Sequence, residues 1–76
     1  MDYRRILATN LQRVRLERVV AQEQLAHDAD INRTYVSKLE TGVTWAGLEI
    51  IVKLAKVLGT EPDKLLIKPS GRAPRK

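Results

Sequence analysis

Gln22-Glu23-Gln24-Leu25-Ala26-His27-Asp28-Ala29-Asp30-Ile31-Asn32-Arg33-Thr34-Tyr35-Val36-Ser37-Lys38-Leu39-Glu40-Thr41-Gly42 is the stretch of sequence that decides the fold. From Gln22 to Ala29, the residues Leu25, Ala26 and Ala29 recur at helical spacing and share one side of a short helix. Asp30 follows, one of the few residues besides glycine that tolerate a left-handed turn. Asn32 then suits an N-cap, because its side-chain oxygen can accept a free amide of the next helical turn. Between Arg33 and Thr41 the helical period resumes, with Val36 and Leu39 turned inward and Arg33, Thr34, Ser37 and Lys38 left for solvent or a partner. Gly42 ends the segment.

Outward from this centre the pattern remains helical. Leu7, Leu11 and Val14 lie at i, i+4 and i+7 and predict a first helix from about residue 3 to 18. After a loop containing Thr44, Trp45 and Ala46, Gly47 can cap a strongly apolar helix in which Leu48, Ile51, Leu54, Ala55 and Leu58 share a face, and Gly59 stops it. Pro62 fits the first turn of a last short helix carrying Leu65, Leu66 and Ile67. The expectation is an all-α fold of five helices over residues 1–67, followed by a flexible basic tail over residues 68–76 with no apolar period.

Seventy-six residues suffice for one domain. With no cysteine, neither a disulfide framework nor a thiolate metal site can hold the chain together, so stability must come from packing and a reducing cytosol is the expected setting. The N-terminus is charged rather than apolar, and no apolar run approaches the roughly 20 residues that span a bilayer. A cytoplasmic, nucleoid-associated protein without a membrane partner is expected. The formal charge of +5 points to a polyanionic partner, but four of the fourteen basic groups lie at or after Lys68, where no acid is found. The first 67 residues therefore carry ten basic and nine acidic groups, a net of +1, and the case for nucleic acid rests on where charges sit within helices. One histidine, no cysteine, no glycine-rich phosphate loop and no paired-carboxylate motif leave little for catalysis, so neither an enzyme nor a cofactor is expected. His27 falls on the outer side of its helix with no second ligand candidate and reads as a solvated side chain.

Two short helices joined by a tight turn form a helix-turn-helix when a small residue sits on the first and an apolar one just after the turn. Ala26 meets the first condition, and Ile31 with Val36 supplies the contact that fixes the angle. The outward face of the second helix can then enter a major groove. Leu11 to Arg15, Gln22 to Ala26, Asn32 to Glu40 with Gly42, and Leu54 to Gly59 stand in the order and spacing that resemble the lambda-repressor-like, Cro and XRE-type family. The resemblance covers roughly residues 11 to 66. Restriction-modification controller proteins are especially similar in size and in the opening Arg33-Thr34-Tyr35.

The resemblance implies a five-helix lambda-repressor-like DNA-binding domain in which Gln22 opens its helix at a phosphate and Arg33, Thr34 and Lys38 face base edges, with Ser37 beside them. The chemistry suits this, since Arg and Lys can donate to guanine O6 and N7 and the Thr methyl can pack on thymine. Tyr35 and Thr41 match positions nearer the sugar-phosphate backbone, and Arg15 and Glu40 match an ion pair tying the first helix to the end of the third. Departures from the pattern stand out. Ala21 takes the place of a usual Ser or Thr cap, Val19 and Asp30 occupy positions where Gly is common, and Thr44-Trp45-Ala46-Gly47 replaces a polar-polar-Pro-Ser run. Trp45 is open between a place in the core or an interface and stacking on a sugar-phosphate edge.

The expected function is a sequence-specific transcriptional regulator that binds double-stranded DNA as a homodimer, on a pseudo-palindromic operator. Leu65, Leu66 and Ile67 are consecutive and one helix face cannot bury all three, so they, with neighbouring residues of the fourth helix, are the expected dimer interface. The alternative is an interaction module, antitoxin-like or contacting RNA polymerase, built on the same bundle and holding a cognate protein.

Overall fold

In a computed structural model that describes residues 2–68, the chain forms α1 (Tyr3–Glu17), α2 (Gln22–Asp28), α3 (Arg33–Thr41) and α4 (Leu48–Leu58), then a single 3-10 turn (Pro62–Leu65). The basic tail expected after residue 67 lies, beyond Lys68, outside the described residues.

Each helix starts for a local reason. Asp2 accepts the Arg4 amide at 3.0 Å, and that hydrogen bond, more than the neighbouring guanidinium, holds its carboxyl below the ordinary value. Asn32 accepts the Thr34 amide at 2.7 Å and sets the start of α3. Ala21 has the extended backbone of an N-cap, φ −72° and ψ 154°, but no side-chain acceptor to offer. The four helices end alike, in a Schellman motif closed by two backbone hydrogen bonds around one left-handed residue. In α1 these are Val20 N–H to Arg15 O at 3.1 Å and Val19 N–H to Leu16 O at 3.0 Å; in α2 they are Ile31 to Ala26 at 2.9 Å and Asp30 to His27 at 3.1 Å. Gly42 and Gly59 occupy the left-handed position after α3 and α4, whereas Val19 and Asp30, both at φ 57°, occupy it after α1 and α2.

The core gathers Leu7, Leu11 and Val14 of α1, Leu25 and Ala26 of α2, Val36 and Leu39 of α3, and Ile51, Leu54 and Leu58 of α4. Ile31, half-buried after the turn, packs against it. α3 rests on both α1 and α2, so this helix is held from behind on two supports. Leu48, expected on the buried face of α4, is instead 69% exposed, since it opens the helix before any neighbour covers it.

The expected fifth α-helix is the 3-10 turn, which leaves four α-helices among the described residues. At three residues per turn, consecutive side chains near its end point about 120° apart. Leu65 goes inward and is fully buried, Leu66 lies at the margin, and Ile67 is 49% exposed. Leu65, expected at a dimer interface, is thus a core residue of the chain, and its side chain is not available to a partner. Buried Asn10 of α1 holds the turn in place, donating through Nδ2 to the Leu65 carbonyl at 2.9 Å and the Ile67 carbonyl at 2.7 Å.

Candidate nucleic-acid interface

α3 presents its polar side because its apolar side is fully used. Val36 and Leu39 are completely buried, while Arg33, Thr34 and Lys38 are exposed and Ser37 is half-buried. The acid of this helix, Glu40, is buried beneath Arg15, so the outward row carries two cations and no anion. A shallow notch at the start of the row brings Gln22 of α2 together with Arg33, Thr34 and Ser37. The notch thus joins Gln22, to which the resemblance gives a phosphate contact, with three of the four residues to which it gives base contacts, while Lys38 lies outside it.

Arg15 and Glu40 meet as a two-pronged pair, Nε to Oε2 at 2.5 Å and Nη2 to Oε1 at 3.0 Å, with side chains only 10% and 2% exposed. Both carboxylate oxygens and the guanidinium fork are engaged, the geometry in which such pairs are strongest. Arg15 uses its third nitrogen on the Val20 carbonyl at 2.8 Å, which pins the α1–α2 turn, and Gln22 Nε2 donates to Glu40 Oε1 at 3.0 Å. One network therefore fixes α1, the turn, the start of α2 and the end of α3. Gln22 commits one of its two amide N–H groups to this bond.

Tyr35 and Thr41 also have partners. The Tyr35 hydroxyl donates to the Trp45 carbonyl at 2.9 Å, tying the α3–α4 loop to the first turn of α3, and Thr41 Oγ1 donates back to the Lys38 carbonyl at 3.0 Å. Trp45 is 54% exposed and so is not a core residue. Its ring lies under the Arg4 guanidinium, whose carbon is 5.9 Å from the ring centre. Sequence reasoning missed Arg4, because 41 positions separate it from Trp45 in the chain and no periodicity links them. His27 is exposed, with Nδ1 3.4 Å from Asp28 Oδ1; the Gln24 hydrogen bond first, and His27 second, lower the Asp28 carboxyl. Among the described residues no group of three or more His, Cys, Asp and Glu could hold a metal, and no helix is long and apolar enough to cross a membrane.

Comparison with known proteins gives this arrangement a family. A helix-turn-helix family model matches residues 11–65. Control protein C.BamHI of Bacillus amyloliquefaciens is 36% identical over 66 residues, covering 86% of this chain and 82% of the relative. The crystal structure of the hypothetical transcription factor NHTF from Neisseria superposes with a TM-score of 0.87 at 36% identity, over 92% of this chain and 80% of that one. That of the restriction-modification controller protein C.AhdI from Aeromonas hydrophila superposes with a TM-score of 0.79 at 32% identity, over 82% of this chain and 94% of that one. With the matched region spanning α2, the turn and α3, the chain belongs to the XRE-type helix-turn-helix family.

Proposed function

We propose that this chain is a sequence-specific, double-stranded DNA-binding transcriptional regulator that acts as a homodimer, with α3 of each protomer in the major groove of one half-site of a pseudo-palindromic operator. The observation that carries the reading is the outward row of α3. Arg33, Thr34, Ser37 and Lys38 stand on a helix whose opposite side is wholly buried, with Gln22 beside its start, so contact with a groove costs the fold nothing. Arg33 and Lys38 are donors suited to guanine, and Thr34 offers a methyl to thymine. On this reading Gln22 and Tyr35 meet the flanking backbone.

A protomer this small reaches few phosphates, and a twofold pair doubles them. Ile67, the outer part of Leu66 and the exposed Val52 of α4 supply the apolar surface that such a pair requires. The relatives named as control proteins, one of them of a restriction-modification system, support a role as controller of genes of that kind.

Enrichment of bound duplexes from a random-sequence pool at physiological salt tests the reading. A pseudo-palindromic consensus with half-sites about one helical turn, or 34–36 Å, apart is expected. A pool that stays random after repeated rounds contradicts it.

A further inference from the structure

The outward row of α3 leaves one cluster at the other end of that helix without a role. Gly42 follows α3 at φ +77°, and a Cβ there would stand 3.8 Å from both the Arg4 carbonyl oxygen and the Arg5 Cα. The first turn of α1 is therefore packed against the chain where α3 stops. Three residues on, Trp45 keeps more than half its surface in water, although a side chain of this size gains more than most from burial. Its position is fixed from two sides, by the Tyr35 hydroxyl on its carbonyl and by the Arg4 guanidinium over its ring. Arg4 Nε is buried without a hydrogen bond, 3.5 Å from the Asp2 carboxylate, while the side chain as a whole is 43% exposed. The exposed part of the side chain therefore lies elsewhere than Nε. A guanidinium lying over a ring can keep N–H groups free to donate to a phosphate.

We propose that Arg4 and Trp45 form a composite backbone clamp, in which Arg4 takes a phosphate of the strand flanking the groove entered by α3 and the Trp45 ring packs on the adjoining sugar. The inference rests on the DNA-binding reading above and extends its contact surface from α2 and α3 to α1 and the α3–α4 loop. Charge selects the occupant. Lys38 in the last turn of α3 and exposed Arg5, whose backbone packs near Gly42, add positive charge at this end of α3, and Asp2 is the acid that lies against Arg4. The cluster stands beyond the end of α3 rather than along its reading row, so it meets backbone and positions the protein without reading bases.

Trp45 is the chain's single tryptophan, so its emission reports on this loop alone. Two duplexes serve as probes, one enriched from a random pool and one of scrambled sequence with the same composition. Anisotropy of a dye-labelled duplex reports binding, and tryptophan emission with acrylamide quenching on unlabelled duplex reports the clamp. Emission is expected to change with the same saturation as the anisotropy, and acrylamide to reach Trp45 less in the complex. Arg4→Gln is expected to weaken both duplexes by similar factors and to reduce the slope of log K against log salt by about 0.9 per protomer, while Arg4→Lys keeps most of the slope. If anisotropy shows binding but Trp45 is unaffected, or Arg4→Gln retains the full slope, the clamp is overturned and the DNA-binding reading stands. If neither duplex raises the anisotropy, both fall. The tryptophan measurement uses the unaltered protein, so poor folding of a variant does not blunt it.

Discussion

Arg15 and Glu40 show what one residue pair can do in a chain of this length. Their side chains are nearly sealed from water, and every prong of the pair has a partner, including the Val20 carbonyl and Gln22. Removing one member leaves the other charge buried and unpaired, which costs about 3–5 kcal/mol. At roughly 0.05–0.15 kcal/mol per residue, 76 residues supply only about 4–11 kcal/mol in total. Glu40→Gln and Arg15→Met should therefore each unfold at much lower urea concentration, and their double-mutant cycle should show a coupling of at least about 1 kcal/mol. Zero coupling would mean that the pair is not one unit. The left-handed residues make a second case. Val19 is β-branched and 90% exposed, so it bears backbone strain of about 1–2 kcal/mol with no packing in return, whereas Asp30 tolerates the same angle. Val19→Gly should raise the melting temperature more than Asp30→Gly, and the reverse order would show that strain is not what distinguishes them. Both positions, and the ion pair, were legible through resemblance to the family pattern. Asn10 was not, because its partners are backbone carbonyls 55 and 57 positions away and nothing in its neighbours' spacing records them.

The helices themselves were readable almost to the residue, since their start and stop signals are local. Asn32 and Gly42 bracket α3, and Gly47 and Gly59 bracket α4, at the positions where the sequence places them. Where the signal is weaker, the structure differs by a residue or changes type. α2 ends at Asp28 rather than Ala29, and the last segment closes as a 3-10 turn over Pro62–Leu65, with Asn10 holding the Leu65 and Ile67 carbonyls at and beyond its end. Leu48 was misplaced for a related reason, as periodicity assigns a face but does not say how far along the helix the neighbours reach. The unsatisfied start of α2 yields a direct expectation. Ala21 already holds an N-cap backbone, so Ala21→Ser should add the missing acceptor without rearrangement and stabilise the chain by about 1 kcal/mol. For a domain of this size that gain corresponds to a rise of about 4–8 °C in melting temperature. No rise, with the fold intact, would show that the first amides of α2 are already satisfied by water.

Across the whole molecule the architecture separates support from contact. α1, α4 and the 3-10 turn close the core behind α2 and α3, and the outward row of α3 is left with positive charge and hydrogen-bond donors. The sequence did not show that Leu65 is buried, because that depends on tertiary packing; of the three consecutive apolar residues Ile67 is the most exposed. In sedimentation at tens of micromolar, roughly the range of weak association, the parent chain should be dimeric and Ile67→Asp should shift it toward monomer and weaken binding to the enriched duplex. A parent chain that is monomeric throughout would remove the twofold arrangement. The central claim is that α3 reads bases, and it is tested most directly by comparing Arg33→Ala and Lys38→Ala on the enriched and scrambled duplexes at matched salt. Each should lose about 1–3 kcal/mol on the enriched duplex, relax the preference at one position in each half-site, and change little on the scrambled one. Equal losses on both duplexes would show that α3 holds DNA without reading it.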